Sequence, residues 1–297
     1  MQGTVDGFSY GLVTPVAAFL MACLGGALGL RCTTRSLRHR DSFKAGWLAL
    51  GATSIGTGIW TMHFIAMMGF SVAQAPIRYD LPITFASLGV AVLMVGIGIF
   101  IVGYRGATAL TLVTGGTITG LGVATMHYLG MAGIRLHGRI EYDTLTVALS
   151  VVIAVVAATA ALWAAVSVHG FLASLGASMV MGVAVSGMHY TAMAAVNVQL
   201  HGAGPATGTG GTASPLLPML IGPAVFLILA AVVVMFDPLL VMGDPDWPAT
   251  ARAPYRPGVP APRHVPSYGE PANWTARPAG RAPRRSAPRA GHRSQDW

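Results

Sequence analysis

Charge is the scarcest property of this chain. Asp, Glu, Lys and Arg together make up 9% of its 297 residues, against roughly a quarter in an ordinary soluble domain. Only ten side chains are acidic, and the sequence shows no carboxylate pair, nucleophile–base set or phosphate-binding loop, so no catalytic constellation is expected and the chain does not read as an enzyme. Cysteine is nearly absent too. Cys23 and Cys32 are the only two, and nine helical residues hold them ~13 Å apart along an axis, which excludes a disulfide between them. There is no Cys-x-x-Cys-His, so any haem here is non-covalent.

What the chain has in abundance is apolar sequence: hydrophobic residues are 54%. They fall in runs near the ~20 residues that cross a hydrocarbon core. Seven are read, at roughly 9–30, 45–70, 82–103, 108–133, 144–167, 171–196 and 216–236. Many glycines interrupt these runs; in lipid they let helices approach closely, while backbone bonding enforces the helix. The expected fold is all-α: a polytopic membrane protein of seven transmembrane helices. The first run lacks a basic start and is followed by a basic cluster, as a retained first span would be.

With seven spans, Arg31, Arg35, Arg38, Arg40, Lys44, Arg105 and the nine arginines beyond the last run share one side, while Arg78, Arg135 and Arg139 lie on the other. This bias places the amino terminus outside and the carboxyl terminus in the cytoplasm of a cell inner (plasma) membrane. Residues 1–242 read as the membrane body. Residues 243–297 hold eleven prolines and nine arginines, too little apolar surface to offset ordering entropy, and are expected to be a disordered tail. Its basic character suits anionic lipid or an acidic cytoplasmic partner rather than specific nucleic acid.

Three of the runs carry one short pattern: Met62-His63-Phe64, Met126-His127-Tyr128 and Met188-His189-Tyr190, with Met67, Met131 and Met193 four residues after each histidine. An ionisable side chain inside a membrane marks a functional site by default. The spacing is a repeat. Gly56, Gly120 and Gly182 each stand six residues before the motif methionine, and Ile77-Arg78-Tyr79-Asp80 matches Ile140-Glu141-Tyr142-Asp143, with Ser87 and Ser150 seven residues past each aspartate. The unit reads as two spans and a loop, twice in full and once in part. An even number of spans per unit turns successive units the same way, so the histidines share one depth, ~10 Å below the outer boundary.

Each histidine and the methionine one turn later share a helix face. Imidazole and thioether together select soft metals, copper(I) above all. The motif helices hold no carboxylate, which disfavours calcium and magnesium, and zinc lacks the thiolates or acid that usually complete its site. Three other readings stay open from the residues alone: structural histidines bonding between helices, axial ligation of haem, and a proton relay. Asp80 and Asp143 read as N-caps. Ser87 and Ser150 read as bonded within the bundle, and Phe64, Tyr128 and Tyr190 as interface anchors or as walls of a pocket.

The full tetrad Met188-His189-Tyr190-Thr191, with its two variants, resembles the MHYT domain family of bacterial integral membrane sensors, over about residues 8–240. The resemblance implies seven spans and a sensory module. It further implies a copper site made from the motif residues Met62, His63, Met126, His127, Met188 and His189, with Met67, Met131 and Met193 alongside, and through it binding of oxygen, carbon monoxide or nitric oxide. This chain departs from the motif at Phe64-Ile65 and Leu129, so a tyrosine hydroxyl or a threonine is not required in every copy. A sensor of this form passes its output to a separate cytoplasmic partner, for which the tail is the candidate contact. The rival reading is a soft-metal transporter or channel, which needs a ladder of polar or methionine steps toward the cytoplasm. The candidates for that ladder are Thr53, Ser54, Thr57, Thr114, Thr117, Thr119, Ser178, Met179 and Met181.

Overall fold

The computed structural model describes residues 4–38, 43–72, 76–168, 170–200 and 213–236. The tail expected at 243–297 and the glycine-rich stretch through residue 212 lie outside them. The described chain runs β1 (Val5–Asp6), α1 (Val13–Arg38), α2 (Lys44–Met68), β2 (Ser71–Val72), β3 (Arg78–Tyr79), α3 (Leu81–Arg105), α4 (Ala109–Ala132), β4 (Ile134–Arg135), β5 (Gly138–Tyr142), α5 (Thr144–Ser167), α6 (Phe171–Ala194), β6 (Val196–Leu200) and α7 (Ala213–Met235). This is a polytopic α-helical membrane protein. Large apolar side chains such as Leu93, Val156, Val180 and Ile228 face outward along its helices, as a lipid-facing surface requires.

Among the described residues six helices are long and apolar enough to cross a bilayer; α2 falls short. Its glycines, threonines, Trp60 and His63 dilute its hydropathy, and it is also the helix with the most side chains buried, sixteen of its 25 residues. A helix surrounded by other helices meets little lipid and has less need of an apolar surface. The first run begins later than expected: residues 9–12 form a turn through Gly11, at φ 59°, and α1 starts only at Val13.

The short strands, which periodicity did not foretell, define the architecture. β1 pairs with β2, β3 with β4 and β5 with β6, all antiparallel. In each case the strand before one helix bonds the strand after the next, so α1–α2, α3–α4 and α5–α6 are hairpins, each closed at its open end by a ribbon. Single backbone bonds repeat alongside: Ser9 N to Gly69 O at 3.0 Å, Asp80 N to Gly133 O at 2.8 Å and Asp143 N to Ala195 O at 2.9 Å. The folded unit is therefore strand–helix–motif helix–strand, and it occurs three times in full. The sequence repeat was read one helix out of phase, from each motif helix into the next span. It missed the first unit's cap because Phe8-Ser9 stands there in place of Tyr-Asp.

The hairpins close into a ring, with α2 against α3, α4 against α5 and α6 back against α1, while α7 lies outside on α1 and α2. The repeated glycines are the seams. A Cβ at Gly56 would lie 2.9 Å from the Val92 backbone, one at Gly120 would lie 2.5 Å from Val155 Cα, and one at Gly182 would lie 2.5 Å from Cys23 Sγ. Each motif helix thus meets the first helix of the next unit where it has no side chain, so close packing stands in for a hydrophobic drive that lipid does not supply. Asp80 and Asp143 cap α3 and α5, accepting from Ile83 N and Thr146 N. Hydrogen bonds from Arg135 and Thr146 respectively hold the two carboxyls below their usual range. Neither cysteine is in a disulfide.

Gly120→Ala should destabilise the body by about 1–3 kcal/mol, the range for overpacking, because the backbone of Val155 cannot give way. Gly176→Ala, which meets nothing within 4 Å, should be neutral or slightly stabilising. Thermal unfolding of the two variants in detergent compares them directly.

Candidate metal centre

The motif helices α2, α4 and α6 face the middle of the ring, and the pseudo-threefold arrangement brings their histidines to one point. His63 Nδ1 is 3.1 Å from His189 Nδ1 and 3.2 Å from His127 Nδ1. The ring centroids are 4.8, 5.0 and 5.2 Å apart, with planes crossed at 73–78°. All three residues are buried, at 1% exposure or less. Among the described residues they form the one cluster of metal-ligating His, Cys, Asp or Glu groups. The expectation of a shared depth thus becomes a contact, made within one chain.

Each imidazole is oriented by the aromatic ring that follows it. His63–Phe64, His127–Tyr128 and His189–Tyr190 are edge-on at 4.6, 4.9 and 5.0 Å. A second aromatic residue, from just before the next unit's first helix, closes over each of these: Tyr79 on Phe64, Tyr142 on Tyr128 and Phe8 on Tyr190. Burial raises the phenols of Tyr79 and Tyr142, the latter to about 12. The motif aromatics are thus walls of the site.

The seams beneath these walls differ. Between α4 and α5, Tyr128 OH lies 2.7 Å from Ser150 Oγ, whose own proton goes to Val147 O. Between α2 and α3, Phe64 has no hydroxyl, and Trp60 Nε1 takes its place, donating to Ser87 Oγ at 3.0 Å and Thr84 O at 3.2 Å. Trp60 had no part in the motif and shows no repeat, so sequence reasoning passed it over. Between α6 and α1 no equivalent bond forms. The Tyr190 hydroxyl has no partner.

The methionines do not share one role. Met188 lines an apolar chamber of about 40 Å³ inside the ring, together with Ile59, Val123 and Val185, one turn before the histidines. Met62, Met67, Met126 and Met131 are packed in the core. Met67 and Met193 line a separate cavity with His189.

Three convergent Nδ1 atoms pose a chemical problem. If all three imidazoles carry their proton on Nε2, three lone pairs face one another with nothing between them. If His63 carries its proton on Nδ1, one N–H must serve two neighbours, and if His127 or His189 carries it, the single His63 lone pair must face both. A cation resolves every case. Three nitrogens bound to one metal at 2.0–2.1 Å stand about 3.3–3.6 Å apart, so separations of 3.1 and 3.2 Å need only small adjustment. The donor set therefore fits a metal. It carries no counter-charge, since Asp80 and Asp143 are engaged as caps at the ribbon end, which favours a monovalent ion over a divalent one. The Nε2 atoms of His63 and His127 are buried without partners. Metal-bound imidazoles usually donate that N–H to an acceptor; here the aromatic edges hold the rings instead. Gly130 gives His63 its room, since a Cβ there would come within 2.9 Å of Nε2.

Comparison with known proteins finds the same repeat. The MHYT family, described as a bacterial signalling protein N terminal repeat, matches residues 56–115 and 120–178, each match running from one motif helix into the start of the next. The bifunctional diguanylate cyclase/cyclic di-GMP phosphodiesterase MucR of Pseudomonas aeruginosa is 38% identical over 207 residues, 68% of this chain and 30% of that protein. The cyclic di-GMP phosphodiesterase NbdA of the same organism is 36% identical over 209 residues, 66% of this chain and 26% of that protein. The signaling protein YkoW of Bacillus subtilis is 31% identical over 186 residues, 60% of this chain and 23% of that protein. The matches thus span less than a third of each of these relatives' length. No solved structure matches.

Trp60→Phe should cost about 1–3 kcal/mol, the penalty for leaving buried acceptors short of a donor, and should leave the three imidazoles in place. Unfolding midpoints together with histidine ring resonances of wild type and variant measure both effects.

Proposed function

The chain belongs to the MHYT domain family, and on that premise we propose that its membrane body is a sensor module that holds a soft metal ion, copper(I), on His63, His127 and His189. The observation that carries this reading is the convergence of His189 and His127 Nδ1 on His63 Nδ1, at 3.1 and 3.2 Å, with no carboxylate in the cluster among the described residues. Bound copper(I) would satisfy the three lone pairs and offer a further coordination position to a diatomic gas such as oxygen, carbon monoxide or nitric oxide. The chain's own part is to aim the imidazoles through Phe64, Tyr128 and Tyr190, and to exclude water. Each histidine sits on a different hairpin, so a few tenths of an ångström at this point are felt by all three. That is the kind of small change a closely packed ring converts into a shift at its far end.

We place α2 as the seventh span and the ribbons outside. Arg31, Arg35, Lys44 and Arg105 stand at the end of the ring opposite the ribbons, the arrangement that the positive-inside rule puts in the cytoplasm. The output then passes to a cytoplasmic signalling partner, with the arginine-rich tail as the contact. The two P. aeruginosa relatives carry cyclic di-GMP activities in their names, which makes that kind of signalling the natural context. We assign no catalytic step to the body.

Transport is the weaker reading. Of the steps it needs, Thr114 and Met179 face outward, Thr53 is bonded back to Ala49 O, and the chamber inside the histidines is apolar. Haem is weaker still, since imidazoles this close leave no slot for a porphyrin between them.

Protein purified in detergent and supplied with copper(I) should hold about one ion per chain, and the His63→Ala/His127→Ala/His189→Ala variant should hold none. A folded wild-type protein that stays empty under the same treatment would end the metal reading. A Soret band on supplying haem would move the site to haem.

A further inference from the structure

Pseudo-symmetry makes the three seams around the histidines comparable, and one of them is open. Ser87 and Ser150 each stand five residues before the valine that meets a seam glycine. Five residues before Cys23, which meets Gly182, is Ala18, which is buried and has no hydroxyl to offer. Tyr190 therefore finds no partner on α1. Phe8, the counterpart of Tyr79 and Tyr142, lies parallel to Tyr190, at 5.7 Å and 15°, whereas the other two pairs are edge-on at 75° and 86°. Beneath it is a cavity of about 250 Å³ lined by Phe8, Ala66, Met67, His189, Tyr190 and Met193.

The two remaining histidines are shut in. His63 has its Nε2 against Gly130, and the Nε2 atoms of both His63 and His127 are buried without partners. The threefold relation carries the His63–Gly130 contact onto His189 and Ala66, three residues after His63 as Gly130 is three after His127. Both of these residues line the cavity. The same relation makes Met67 and Met193 equivalents of Met131; Met67 is as buried as Met131, at 1% exposure, but it and the half-buried Met193 both border the cavity.

We infer that the space between α2 and α6, under the Thr4–Leu12 segment, is the entrance to the histidine cluster, with Met67 and Met193 as a capture site that passes a soft cation to His189. Accessibility of His189 needs no metal; the role of the two methionines rests on the copper(I) reading above. Thioethers bind copper(I) without a charge of their own, which suits a transfer step better than a final site. The segment covering the entrance is held by a two-residue strand pair, Val5–Val72 and Asp6–Ser71; the ribbon between β3 and β4 has as few pairs but is braced by the Arg135–Asp80 ion pair at 2.9 Å, and that between β5 and β6 has five. It is the cover that opens at least cost.

Brief carbethoxylation of the metal-free protein, read by peptide mass spectrometry, tests the entrance. His189 should react first, by at least about tenfold, because the other two need a helix to move. Phe8→Ala should speed that reaction further. Equal labelling, or labelling of His63 or His127 first, overturns the proposal. The Met67→Leu/Met193→Leu variant should take up copper(I) more slowly but to the same final stoichiometry. An unchanged rate, or a lost site, overturns the capture role. A wild-type protein that labels first at His189 yet binds no copper(I) keeps the entrance and removes the metal reading alone.

Discussion

The imidazoles of His127 and His189 can both stand 3.1–3.2 Å from that of His63 inside a bilayer only if three helices are held at the same height and turned to the same face. The rest of the body serves that requirement. Height is set at the ribbon end, where Ser9, Asp80 and Asp143 each bond the carbonyl just past a motif helix. Rotation is set at the seams, where Gly56 and Gly120 admit the backbone of the next helix and Gly182 admits the side chains of Cys23 and Phe19. A ring of hairpins closed by α6 on α1 leaves little freedom for one histidine to move without the others.

The cost of this arrangement is electrostatic. Three nitrogens with overlapping lone pairs or a shared proton are buried where water cannot satisfy them, and such a group is expensive in a low-dielectric interior. A purely structural role would more economically pair each histidine with a hydroxyl or carbonyl on a neighbouring helix. The hydroxyls are present, but they are used one layer out, by Tyr128 with Ser150 and by Trp60 with Ser87. Leaving the imidazoles to face one another is the choice that makes sense for a cation.

Copies that began alike have diverged where position differs. The second seam keeps tyrosine and serine; the first has exchanged the tyrosine hydroxyl for an indole N–H from the preceding turn of its own helix. Both solutions close the seam with a buried donor. The third seam joins the last unit to the first, and there the partner serine is missing and the Tyr190 hydroxyl is left without a partner among the described residues. An exactly symmetric ring would have sealed the histidines on all sides.

Much of this was legible in the sequence. The apolar runs dictate membrane helices, because only a helix satisfies its own backbone in lipid. The recurring Met-His at nearly constant spacing places the histidines at one depth, and Asp80 and Asp143 announce the starts of α3 and α5. Periodicity could not show that the repeat closes into a ring, since closure depends on which helices touch. Nor could it show that Phe8-Ser9 is a third copy of Tyr-Asp, which only its bond to Gly69 reveals. Trp60, Gly130 and the cavity beside His189 owe their roles to neighbours 24 or more residues away in the chain. A sequence determines the period and polarity of each helix. The meeting of three nitrogens, and the one side left open to them, depends on side-chain packing across seams, which only the tertiary structure decides.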